Sequence, residues 1–269
     1  MKIQELHEEL FKVLCLVDDI CRKEGVRYFL DSGTAIGAVR EHDFIPWDDD
    51  VDIKVLREDY PAFKAAMLKH LPEHYRFVEP EEFAPGFYDF ASRVYDERIP
   101  QRPETDADRY YRNHQNRVGM DVFIFDKAPD SPLRQKLLVL ENNILYGMAM
   151  SKRYSLDMKK YKGLQKLFVR VLTLMGKPVS IRWILRRWEK TVRRWEHKET
   201  NWRFCGSYSP DYSFFYPERC YRDTVRMDMH GRAFPLPTGY DEELTITYGD
   251  YMKPPEDKSI YITHVHFDE

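Results

Sequence analysis

Nothing in the 269 residues approaches the roughly 20 uninterrupted apolar residues that a membrane-spanning helix needs, so none is expected. Cysteine is scarce: Cys15, Cys21, Cys205 and Cys220 form no Cys-x-x-Cys pair and have no histidine at a familiar zinc spacing. Free thiols in a reducing compartment follow, although Cys205 and Cys220 remain a pair able to meet in space. Excess positive charge is missing too. Forty-two Lys and Arg against 45 Asp and Glu leave a net charge of -3, which excludes the uniformly basic surface of a non-specific nucleic-acid binder. Residues 1–10 carry Glu5, Glu8 and Glu9 where a signal peptide has a basic head and an apolar run, so no such leader is expected. Repeats and low-complexity segments are absent. What remains is 43% hydrophobic, 14% aromatic and 32% charged, a chain able to bury a sizeable core as one large domain or two small ones.

Apolar residues at three- and four-residue steps predict a helix over Ile3 to Arg22, stopped by Gly25. Val26 to Leu30 reads as a strand, Asp31 to Thr34 as a tight turn and Ala35 to Arg40 as a short helix. After the Phe44–Trp47 loop, an acidic run enters the strand-like Val51 to Leu56, and Glu58 to Leu71 reads as a helix. Tyr75 to Glu79 and Phe87 to Tyr95 are further strand candidates, and the polar stretch from Pro100 to Asn116 reads as a mobile loop. Val118 to Asp126 is a buried strand broken only by Asp121, and Leu133 to about Glu199 turns helical. Leu164, Leu167, Phe168, Val171, Leu172 and Met175 mark one apolar stripe there, ended by Gly176 to Pro178. Strands first and helices after predict an α+β fold with a helical appendage.

Asp48-Asp49-Asp50-Val51-Asp52 is the densest acidic cluster. On an extended chain Asp50 and Asp52 share one face while Asp49 points to the other. Two carboxylates so close repel unless neutralised, which makes a divalent cation their natural partner; a solvated acidic turn is the bland alternative. An EF-hand loop fails because Ile53 stands at its glycine position and Ile45-Pro46-Trp47 cannot be an entering helix. Asp121, alone on an apolar strand, needs a metal or a cation facing it. Asp31-Ser32-Gly33-Thr34 offers backbone N–H groups and hydroxyls to a phosphate, or is only a helix cap.

A Ser-Gly turn after the first strand, an Asp-x-Asp pair on the next and a lone Asp on a later one resemble the DNA polymerase beta-like nucleotidyltransferase layout. More specifically, Leu30 to Arg40, Phe44 to Ile53 with Ile45-Pro46-Trp47-Asp48-Asp49-Asp50, and Arg57-Glu58-Asp59-Tyr60 resemble the signature of the LicD family. That family includes phosphorylcholine transferases and fukutin-related proteins. The likeness continues at Met120 to Asp126, at Pro235-Leu236-Pro237, and at Leu244 with Tyr248-Gly249-Asp250-Tyr251-Met252; Ser32 replaces the Gly more usual in the family. Residues 81–118 and 150–228 match no named pattern, and substrates would be distinguished there.

The resemblance implies a nucleotidyltransferase-like mixed β-sheet core flanked by helices: a catalytic core over 1–130, a basic helical region over 131–200 and a segment over 201–269 completing the active-site face. It implies a cytoplasmic transferase that moves phosphocholine, ribitol phosphate or glycerol phosphate from a CDP-alcohol donor to a hydroxyl of a cell-surface glycan, such as teichoic acid, or its lipid-linked precursor, releasing CMP. Asp50, Asp52 and Asp121 would hold Mg²⁺, or Mn²⁺, and carry catalysis, Asp121 also taking the proton of the attacking hydroxyl. Ser32, Gly33 and Thr34 would cradle phosphate. Arg40 would neutralise the leaving CMP or pair with Glu41 or Asp43. The alternative activity is transfer of a nucleoside monophosphate from a triphosphate to a small molecule. His264 and His266 are left outside the site.

Between Ser151 and Thr200 the chain carries 15 Lys and Arg against 4 acids, a local net of 15 - 4 = +11. Ile181, Ile184, Leu185, Trp188, Val192 and Trp195 form a stripe with Arg182, Arg186, Arg187, Lys190, Arg193 and Arg194 mostly off it. Either this region docks an anionic acceptor, its lipid carrier or the inner membrane face, or the stripe packs on the core with its cations in water.

Overall fold

A computed structural model describes residues 1–254; His264 and His266 lie outside the described residues. Helix α1 (Ile3–Glu24) buries Leu6, Leu10, Val13, Leu14, Val17 and Ile20 and ends on Gly25 in the left-handed conformation, φ 67°. Each such side chain taken fully out of water contributes about 1.5–3 kcal/mol. Then come β1 (Phe29–Leu30), α2 (Ser32–Ile36), β2 (Asp52–Leu56), α3 (Tyr60–His70), β3 (Tyr75–Val78), β4 (Ser92–Pro100), α4 (Asp106–Tyr110) and β5 (Arg117–Ala128). Three longer helices follow, α5 (Pro132–Ala149), α6 (Gly163–Gly176) and α7 (Ile181–Val192). The described residues close with β6 (Trp202–Cys205), β7 (Tyr216–Pro217), β8 (Thr224–Met229), β9 (Arg232–Pro237) and α8 (Tyr240–Tyr248).

The main sheet runs β1-β2-β5-β4-β3, with β6 on the far half of β5 and β7 on β6. Only β2 and β5 pair in parallel; every other neighbour is antiparallel, giving a mixed sheet and an α+β fold. β6 and β7 thus bring the C-terminal third into the same sheet as the first 130 residues. The separate β8–β9 hairpin is tied to α1 by Asp18, which is fully buried and accepts from Tyr28, Arg22, Arg226 and Arg232. All four cysteines are free thiols.

Two expectations are corrected, and two stripes whose packing the sequence left open are placed. The strand expected over Phe87 to Tyr95 begins only at Ser92, because Phe87 and Phe90 leave the sheet to pack among α5 and α7. Residues 100–116 are not a bare loop: they hold α4, pinned by Asp108, which accepts from Arg102 and from the Thr105 hydroxyl. The α7 stripe is core, with Ile184, Leu185, Trp188 and Val192 all buried. On α6 the reverse holds, since of the expected stripe only Leu172 is buried.

Candidate active site

β2 and β5 set Asp52 and Asp121 directly opposite each other in the parallel register, with Ile53 against Val122 next along. Both carboxylates and Asp50 line one cleft of about 890 Å³, beside Ser32, Gly33 and Arg40. Burial, then the charges of Asp50 and Asp121, push the Asp52 carboxyl well above the usual carboxylate range. Among the described residues the carboxylates close enough to share one ion are those of Asp48, Asp49 and Asp50, an all-oxygen set that suits a hard divalent cation, with Asp52 and Asp121 lining the same cleft.

β2 starts at Asp52, so Asp48 to Asp50 precede the strand and do not alternate across it. As a result Asp49 does not face away: Asp48, Asp49 and Asp50 bring carboxylate oxygens within 4.8 Å of one another, and all three line the cleft. Alternation placed Asp49 on the wrong side because it counted residues 49–51, three too many, as strand.

Asp121 meets its cation within the protein. Arg93 of β4, buried, donates from Nη1 to Asp121 Oδ1 at 2.6 Å and from Nη2 to the Arg117 carbonyl at 3.2 Å. Two residues beyond Asp52, the fully buried Lys54 sits between Asp31, at 2.8 Å, and Glu243 of α8. Burial opposes its charge, but the two carboxylates hold the ammonium above its ordinary pKa. Neither Arg93 nor the Lys54 pair was singled out from sequence; a lysine inside an otherwise apolar strand was the available signal.

Asp31 caps α2, accepting the Ser32 N–H at 2.9 Å. Ser32 has φ 49°, a left-handed backbone that costs a non-glycine residue about 1–2 kcal/mol and that accounts for a glycine preference at this position. At Gly33 a Cβ would collide with the Asp48 carboxylate, so a larger residue there would require that carboxylate to move away from the turn. Thr34 is buried and turns inward, its hydroxyl accepting the Asp52 N–H at 2.9 Å; it fixes the strand and does not line the cleft. Arg40 pairs with Glu41 at 2.7 Å and donates to the Tyr251 carbonyl at 2.8 Å while still lining the cleft. Tyr248, Asp250, Tyr251 and Lys253 line the same end as Ser32. The Tyr248–Met252 motif therefore closes the cleft over the β1–α2 turn.

The opposite wall comes from the segments without a recognisable pattern: Tyr88, Asp89, Arg102, Arg153, Tyr161 and Tyr208. Arg153 donates to the Tyr146 hydroxyl at 2.6 Å, and Asp89 lines the cleft beside them. Burial pushes the Asp89 carboxyl up to about 7, against the pull of Arg153. The cleft thus has an acidic floor and an aromatic wall bearing guanidinium groups.

Residues 25–144 match the nucleotidyltransferase domain of the LicD/FKTN/FKRP family. The lipopolysaccharide cholinephosphotransferase LicD of Haemophilus influenzae is 27% identical over 268 residues, 96% of this chain and 95% of that protein. Ribitol 5-phosphate transferase FKRP of Mus musculus and of Homo sapiens is 54% identical over 35 residues, 13% of this chain and 7% of theirs. The domain match covers the strands that carry Asp52, Asp121 and Arg93, and the likeness to the bacterial cholinephosphotransferase runs over 96% of the chain, so the chain is similar to LicD-type phosphotransferases within and beyond the matched domain.

Proposed function

We propose that the protein transfers a phosphoalcohol from a CDP-activated donor to a hydroxyl of a glycan or its lipid-linked precursor, releasing CMP. The observation that carries this reading is the opposition of Asp52 and Asp121 across β2 and β5 at the floor of a cleft that also holds Asp50 and the Ser32–Gly33 turn. The activities named for the cholinephosphotransferase and the ribitol 5-phosphate transferase support the same class of transfer. The acceptor oxygen would attack the phosphorus bearing the alcohol, the bond from that phosphorus to the CMP oxygen would break, and the hydroxyl proton would pass to a floor carboxylate.

Asp50, Asp52 and Asp121 would hold a divalent cation such as Mg²⁺, which when bound offsets negative charge on the donor diphosphate. Arg93 orients Asp121 through its charge-assisted hydrogen bond. Ser32 and Gly33 would meet phosphate oxygens at the near end, with Arg40 and Lys253 supplying positive charge beside them. The aromatic wall of Tyr88, Tyr146, Tyr161 and Tyr208 would take the alcohol or the acceptor.

Incubating purified protein with CDP-choline, CDP-ribitol and CDP-glycerol in Mg²⁺, and assaying CMP, tests the reading. CMP from one of them, dependent on Asp52, is the expected result. Pyrophosphate from CTP or ATP, with no CMP from any CDP-alcohol, would assign the chain to nucleotidyl transfer.

A further inference from the structure

Helix α6 is apolar on two sides and packed on one. Val169, Leu172 and Gly176 are buried against α5, so closely that a Cβ at Gly176 would collide with the Met148 backbone. Leu164, Leu167, Phe168, Val171, Leu174 and Met175 remain 44–84% exposed. At about 100° per residue these six fall within roughly 120° of the helix circumference, one continuous stripe. Isolated exposed apolar residues need no explanation, but a stripe about three turns long does.

Its surroundings are cationic. From Met158 to Trp188 the sequence has nine Lys and Arg and no acid. Lys162 stands at the start of α6, Lys166 and Arg170 flank the stripe and Lys177 follows its end, all exposed. Trp183, in the first turn of α7 shortly beyond, is 49% exposed, an amphipathic ring of the kind that settles at a lipid headgroup boundary. A second copy of this chain docking here would set nine cations against nine. An anionic surface with an apolar interior answers both the stripe and the charge.

We propose that α6 lies flat in the interface of a membrane containing anionic lipid, with its six exposed apolar side chains below the headgroups and the flanking cations against lipid phosphates. No described helix is long and apolar enough to cross a membrane, so the contact is peripheral. It belongs to α6 and not to the arginine-rich α7, whose stripe is already occupied by the core.

Co-sedimentation of the full chain with vesicles tests this without reference to turnover, so it stands or falls apart from the transfer reaction. Partitioning onto phosphatidylcholine vesicles containing phosphatidylglycerol should be at least about tenfold stronger than onto phosphatidylcholine alone, and should weaken as salt rises. Leu167→Asp with Phe168→Asp should lower it by about tenfold or more, as should Lys166→Glu with Arg170→Glu, each with an unchanged near-ultraviolet circular dichroism spectrum. Wild-type protein that stays in the supernatant with both vesicle types overturns the proposal. So does equal binding by folded Leu167→Asp, Phe168→Asp protein, or a dimer in sedimentation that this variant dissociates while vesicle binding is absent.

Discussion

Trp188 lies flat on Phe90, ring centroids 4.5 Å apart and planes 3° from parallel, with its indole N–H donated to the Gly206 carbonyl at 2.8 Å. Phe90 directly follows Asp89 of the cleft wall, so α7 braces the far side of the site from behind. Trp188→Ala should therefore cost about 3–5 kcal/mol in urea unfolding. Arg186→Glu and Arg187→Glu, on the solvated face of the same helix, should stay within about 0.5 kcal/mol. Equal effects from both kinds of change would contradict the packing.

The floor carboxylates should separate by what each supports. Asp50→Asn, Asp52→Asn and Asp121→Asn are each expected to lower CMP release by about 10²–10³ or more. Their stabilities should diverge. Asp52→Asn removes a carboxyl whose ionisation burial and its neighbours oppose, so its melting temperature at neutral pH should match or exceed wild type. Asp121→Asn strips the buried Arg93 of its counter-charge and should lose about 1–3 kcal/mol. Parallel melting and activity measurements distinguish the two.

Divalent metal should raise the melting temperature of the wild type, since only the folded chain gathers these carboxylates. The shift with Mg²⁺, reversed by EDTA, should vanish in Asp52→Asn and survive reduced in Asp49→Asn. A shift lost in Asp49→Asn but intact in Asp52→Asn would move the ion to the Asp48–Asp50 run.

Asp89 gives a pH-dependent test. Its folded pKa, about 7, lies above the ordinary value of an unfolded aspartate, about 3.9. The folded state then binds the extra proton, and the stability from that proton is complete below the unfolded value and lost as pH rises through about 7. Asp89→Asn escapes the loss. Denaturation series should show the variant gaining on wild type between about pH 4 and pH 8, by on the order of 1–2 kcal/mol for this partly exposed group. A gap that does not change with pH would rule out the raised pKa.

Periodicity made α1, β2 and β5 legible, and the short acidic motif and lone Asp121 led to one cleft. Periodicity did not tell whether a stripe finds something to pack on. The stripes of α6 and α7 are equivalent as text, yet Trp188 meets Phe90 while Leu164 and Leu174 meet solvent. Arg93 was invisible because its meaning depends on β4 lying beside β5, a pairing in which Arg93 and Asp121 face each other from 28 residues apart. Asp49 was misread because one irregular turn before β2 undoes any inference from alternation.

The parallel pairing of β2 with β5 brings together residues 121 - 52 = 69 positions apart. Closing so long a stretch of chain costs more entropy than joining any hairpin of the same sheet, and non-local pairings of this kind form slowly. The repulsion between Asp121 and the Asp48–Asp52 run is therefore absent from any partly folded chain in which β5 has not yet reached β2. That share of the electrostatic tension burdens the finished fold and spares the early steps of reaching it.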